Sequence, residues 1–187
     1  MTSTHDPRIW GARFARRSLG IAVYTVGALT GVPYARLLGL RAASERALAW
    51  GDPEEAEALA KQLLELAERY REDWYYGNAV HHAHTVLGQV ELARGNPAAA
   101  EIALLESGRT PGSPQLNSFG PSMALAEELL DIGRSDAVVE YLELCKQFWC
   151  PEGDDRPSAD HTRRTLDTWI FLVKDGRIPD FGANLIY

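Results

Sequence analysis

From residue 43 onward the apolar positions recur at helical rather than strand spacing, and they fall into segments separated by glycine. Three segments, ASERALAW, TVLGQVELAR and MALAEELLDI, each run up to a Gly. Three more follow: EEAEALAKQLLELAERY, AAAEIALLES and DAVVEYLELCKQF. At each junction the Gly is followed by a polar residue and then by Pro or Ser: Gly51-Asp52-Pro53, Gly95-Asn96-Pro97 and Gly133-Arg134-Ser135. A small or β-branched residue stands five positions after each Gly, as Ala56, Ala100 and Val138. The pattern predicts three helical hairpins. Gly closes the first helix in the left-handed conformation, Asp52 and Asn96 cap the next, and Pro53 and Pro97 open it. A loop from Cys150 to Pro157 then leads to a last helix, SADHTRRTLDTWIFLVKD, with Ser158 as its cap and Gly176 as its stop. The closing RIPDFGANLIY is too apolar for a free tail and is expected to pack on the helices or on a second copy.

The middle hairpin resembles the tetratricopeptide-repeat family: Leu87-Gly88, Gly95, Ala100 and Leu104 fall at that family's spacings, with His84 where it often carries Trp. The outer two depart from it, with Ala126 in place of Gly and Val138 in place of Ala in the third. The resemblance spans roughly residues 37–150. It implies an all-α, right-handed helical-hairpin solenoid of about three units, with the last helix as a cap over its exposed end. In that family the first helices of the units line a concave groove that holds peptides or protein partners. The F-G-A-N-L-x-Y ending also resembles that of small bacterial repeat proteins.

Residues 1–36 form a separate segment, basic and then apolar, and residues 151–187 a third region of loop, capping helix and tail. SLGIAVYTVGALTGVPYA, residues 18–35, carries no charge and is flanked by Arg16, Arg17 and Arg36. Its length borders on that of a membrane span, but Gly, Thr, Tyr and Pro33 dilute it. Three readings stay open: an anchor or contact with anionic lipid at the inner membrane through the Arg-rich flank, a helix packed on the domain or in a homodimer, and a cleaved signal. The expected compartment is the cytoplasm.

A net charge of −7 and a pI near 5.2 exclude general nucleic-acid binding, which needs a basic footprint. Cys145 and Cys150 are expected as reduced, buried thiols, since two cysteines make no disulfide framework. The helix from Glu54 is expected to carry ion pairs such as Glu65–Arg69 on a solvated face.

The richest segment is DWYYGNAVHHAHTVLGQVELARG. Tyr76, Val80, Ala83, Leu87 and Val90 step as a core stripe. Asn78, His82, Thr85 and Gln89 form a polar one that Tyr75 extends. In the family's register His82, Thr85 and Gln89 face the groove with Met123 and Glu127. The connection GRTPGSPQLNSFGP, residues 108–121, is long and stiff for a helix–helix link. Its Ser113, Gln115, Asn117 and Ser118 are expected to offer hydrogen bonds to the His82 stripe, with Phe119 as a wall. These eleven residues, Tyr75 to Glu127, are the expected partner-binding set.

Catalysis has less support. His81 and His84 could share a cation, but a zinc site needs a third protein ligand and none stands at helical spacing. A general-base role for His82 would need Asp73, Glu127 or Asn117 to orient it. Neither Ser113 nor Ser118 sits in a nucleophile elbow, and GRTPGSPQ lacks the phosphate-binding Lys. The leading expectation is a protein- or peptide-binding adaptor with no cofactor and no catalytic residue. The alternative is a small-molecule- or metal-binding protein, conceivably a catalyst, with a pocket between the 74–94 helix and the 108–121 loop.

Overall fold

The computed structural model describes residues 33–185, and the readings placed on residues 1–32 lie outside them. Among the described residues the chain is all-helical, with eight α-helices, one short 3₁₀ turn and no strand. The helices are α1 (Pro33–Ala49), α2 (Pro53–Arg69), α3 (Tyr76–Ala93), α4 (Pro97–Gly108), α5 (Pro114–Phe119), α6 (Ala124–Asp131), α7 (Ser135–Trp149) and α8 (Pro157–Lys174), with the 3₁₀ turn at Gly182–Leu185. No described helix is long and apolar enough to cross a membrane.

The three predicted junctions form as the residues dictate. Gly51, Gly95 and Gly133 take φ of +79°, +78° and +78°, which a side chain would strain. Pro53 and Pro97 open their helices, and Asp52 Oδ1 accepts the Glu55 N–H at 3.0 Å. Asn96 holds the cap position without capping, because its amide donates to Glu91 across the turn. Ser158 is likewise not the cap of α8: Pro157 already occupies the first helical position, and Arg156 precedes it. Ala56, Ala100 and Val138 are all fully buried where the paired helices meet.

Helix α1 packs on α2 and α3, α2 on α3, and α3 on α4. Beyond them α4 packs on α7, which α6 and α8 flank. The larger core gathers Leu104, Leu125, Leu129, Leu142, Trp169 and Phe181 from α4, α6, α7, α8 and the tail. Truncating one such fully buried Leu to Ala costs about 2–5 kcal/mol. Helices α3 and α6 approach so closely that a Cβ on Gly88 would lie 2.2 Å from Leu125 Cδ2. On α2 the ion pair is Glu57–Lys61, at 2.6 Å, rather than Glu65–Arg69; Glu57 also holds Arg94 at 2.6 Å and so faces a neighbouring helix. Both cysteines are free and buried, and burial raises their pKa.

The tail does pack back on the chain. Phe181 stands edge-on to Trp169, and Asn184 takes hold of the link ahead of α6.

Candidate functional site

Two links of unequal length join the hairpins, and the candidate site lies where they meet at the head of α3. The first, residues 70–75, is tight. Asp73 Oδ1 accepts the Tyr75 N–H at 2.8 Å, and the Asp73 carbonyl accepts Tyr76 N–H. This turn drives Tyr75 inward and leaves Trp74 46% exposed. The Trp74 ring packs on Tyr34, centroids 4.8 Å apart, and edge-on to Tyr75 at 5.7 Å. Glu68 gathers the neighbours. It accepts Arg71 Nε at 3.2 Å and the Tyr76 hydroxyl at 2.7 Å, and these bonds lower its pKa.

The second link, residues 109–123, is fastened to α3 by side chains. Thr110 Oγ1 donates to the Gly77 carbonyl at 2.8 Å, and Ser113 Oγ donates to Asn78 Oδ1 at 2.7 Å. His81 ties the end of α4 to the far end of the link. Its Nε2 accepts the Ser122 N–H at 2.9 Å, so the ring proton sits on Nδ1 and is donated to the Ser107 carbonyl at 3.2 Å. Burial lowers the His81 pKa to about 4, so the ring is neutral at physiological pH. The link was expected as a loop, yet its middle is helix α5. Ser113 caps it by accepting Leu116 N–H at 3.1 Å, and Gly112 and Gly120, both at φ +82°, bracket it.

Other elements hold the link from behind. Tyr141 donates to the Ser122 carbonyl at 2.8 Å. Asn184 Nδ2 donates to the Phe119 and Pro121 carbonyls at 3.1 and 2.9 Å, and its own carbonyl accepts Met123 N–H. The Asn117 amide lies against the carbonyls of Phe148 and Ser113, at 2.9 and 3.0 Å from the nitrogen in the orientation that satisfies both.

Gly77 and Gly112 touch backbone to backbone, and a Cβ on Gly77 would fall 1.8 Å from the Gly112 carbonyl oxygen. Beside that contact opens a solvent-facing cleft of about 300 Å³. Arg71, Asp73, Trp74 and Tyr76 form one wall. Pro111, Ser113 and Pro114 form the other.

The expected polar stripe is placed differently from its register. Asn78, His82 and Thr85 are buried rather than open to a groove, as are Tyr75, Ser113 and Met123. Thr85 donates to the His81 carbonyl, and Gln89 donates to Glu128 at 2.7 Å. Of the intended core stripe, Ala83 and Val90 are buried, while Tyr76, Val80 and Leu87 are half-buried. Gln115, Asn117 and Glu127 are half-buried, and Ser118 and Phe119 are exposed. Phe119 therefore forms no wall. Of the expected set, only Ser113 and Asn117 line the cleft.

The carboxylate nearest His82 is none of those proposed to orient it. Glu45 Oε1 of α1 lies 3.9 Å from His82 Nδ1 and also accepts Arg41 Nε at 3.0 Å. Burial, with the Arg41 charge behind it, holds the His82 pKa well below its ordinary value. Among the described residues no three His, Cys, Asp or Glu side chains stand close enough to hold a metal. Asp154, in the loop before α8, grips Arg156, whose Nε lies 2.9 Å from both carboxylate oxygens.

By sequence Trp74 reads first as a packing aromatic at a helix start and second as a ligand-stacking one, so it stands outside the expected set; Thr110 as an anchor, and Arg41 and Glu45 beside His82, were missed. Thr110 carried a signal: a hydroxyl within a Pro- and Gly-rich link. No family model matches the chain, and neither any curated protein nor any solved structure is significantly similar to it.

Proposed function

We propose that this chain is a protein- or peptide-binding adaptor of the tetratricopeptide-like kind, and that its binding surface is the cleft at the head of α3. One observation carries the reading. A half-exposed Trp stands over an open cleft whose opposite wall is fixed to the core by Thr110, Ser113 and His81. A large aromatic ring beside a preorganised wall supplies contact area at little ordering cost, as binding hot spots do. The open form of the cleft suits a passing chain better than an enclosed metabolite. The catalytic alternative draws less support, because His81 spends both ring nitrogens on backbone groups and His82 is buried.

The test is an array of random twelve-residue peptides probed with the wild-type chain, with Trp74→Ala and with Trp50→Ala, the last an exposed Trp elsewhere. The reading expects a reproducible set of peptides that Trp74→Ala loses and Trp50→Ala keeps. No enriched set, or one indifferent to Trp74, refutes it.

A further inference from the structure

We infer that the cleft takes an extended, proline-containing peptide segment with a basic residue beside its prolines. This rests on the reading of the cleft as a peptide site and names the class of partner.

Three features of the walls point to it. First, the contact surfaces are flat and rigid. Trp74 and Tyr76 stand on one side and Pro111 and Pro114 on the other, while the backbone contact of Gly77 with Gly112 fixes the floor between them. Flat aromatic grooves of this kind accept the polyproline II helix, which arrives already ordered and presents proline rings in rows.

Second, the aromatic wall is held in place. Tyr34 and Tyr75 support Trp74 from behind at 4.8 and 5.7 Å. The Tyr76 hydroxyl is tied to Glu68, and the Arg71 guanidinium lies 5.7 Å from the Tyr76 ring centroid. Binding therefore need not order these rings.

Third, the charge favours a cationic flank. The end of α2 and the link after it, residues 68–75, carry Glu68, Glu72 and Asp73 against Arg69 and Arg71, and the opposite wall, residues 110–117, has no charge. Arg71 and Asp73 both line the cleft, but the Arg71 charge is engaged by Glu68 through both Nε and Nη2, which leaves Asp73 to face a cationic flank. Beyond residue 32 the chain carries fifteen Lys and Arg against twenty-five Asp and Glu.

The experiment is a calorimetric titration of the full chain with an acetylated peptide of six prolines flanked by arginines. Two counterparts accompany it, one with six alanines between the arginines and one with glutamates flanking the prolines. The expected result is one-to-one, saturable binding of the arginine–proline peptide, with both counterparts weaker by about tenfold or more. Trp74→Ala should lose about tenfold. Asp73→Asn keeps the acceptor for Tyr75 N–H and should weaken the arginine-flanked peptide about threefold. Pro114→Ala, at an exposed position, guards against a folding artefact and should also weaken binding. Absence of binding, equal binding of either counterpart, or indifference to Trp74 and Pro114 overturns the inference. If the random array yields Trp74-dependent peptides that lack proline, this inference falls while the cleft stands as a peptide site. If the array yields no such peptides, both fall.

Discussion

Two kinds of connection run through this chain, and they obey different rules. Within each hairpin the turn is a short Gly-centred junction, with nothing within 4 Å of the position a Cβ would take on Gly51, Gly95 or Gly133. Between hairpins the links are held by tertiary contacts: Asp73 shapes the first, while Thr110, Ser113, His81, Tyr141 and Asn184 fasten the second. The turns are closed by local backbone bonds and a positive-φ Gly. The links answer to partners up to 65 residues away, and the cleft opens between them. Local rules build the scaffold here, and long-range polar contacts build the site.

The contrast can be broken first at His81. His81→Leu should leave the Ser122 N–H and the Ser107 carbonyl buried without partners, at about 1–3 kcal/mol each. A urea titration should therefore show a loss of about 3–5 kcal/mol, far above that of any change at the hairpin turns. A loss under about 1 kcal/mol would mean that His81 does not fasten the link.

Acid should act on the same fastening. The folded pKa of His81, about 4, lies below the unfolded value of about 6.5, so the native state favours the neutral ring. Its contribution is complete above about pH 6.5 and falls as the pH drops towards 4. Below that both states are protonated and the loss stops. His81 alone should cost on the order of 3 kcal/mol across that window. The lowered pKa values of His82 and His84 act with the same sign. Denaturation curves at pH 7, 5.5 and 4 should show this slope for the wild type and a shallower one for His81→Leu.

Glycine substitution separates the two connections directly. Gly77→Ala must push the second link away from α3, costing about 1–3 kcal/mol and deforming the cleft. Gly51→Ala meets open space and bears only the strain of its positive φ, about 1 kcal/mol. Peptide binding should fall in the first and persist in the second. The smallest expected effect is that of Asn184→Ala, which removes the side-chain bonds to the Phe119 and Pro121 carbonyls. It should cost about 1 kcal/mol and speed hydrogen exchange at residues 119–123 more than at the hairpin turns.

What the sequence made legible follows the same division. Gly51, Gly95, Gly133, Pro53 and Pro97 act through their own backbone chemistry, so their roles could be read one residue at a time. Asn96 could not, because its amide found Glu91 instead of the helix end. The polar stripe failed for a deeper reason. Periodicity treats Asn78 and its neighbours as surface because they are polar, yet Ser113 supplies the bond that lets Asn78 be buried. That donor lies 35 residues downstream, beyond any helical repeat. Helix α5 was hidden by its brevity, six residues between two glycines in a proline-rich stretch. The prediction of a pocket between the 74–94 helix and the 108–121 loop came nearer, since the cleft lies at the start of that helix, with Trp74 and Tyr76 on its wall.

The most direct measurement is the set of tryptophan indole N–H resonances of the ¹⁵N-labelled chain, followed as a captured peptide is added. The chain has five Trp, so each signal can be assigned by single substitution. The Trp74 resonance should move and saturate with the binding isotherm while Trp50 and Trp169 stay in place. A shift confined to other tryptophans, with Trp74 unmoved at saturation, would contradict the cleft as the binding surface.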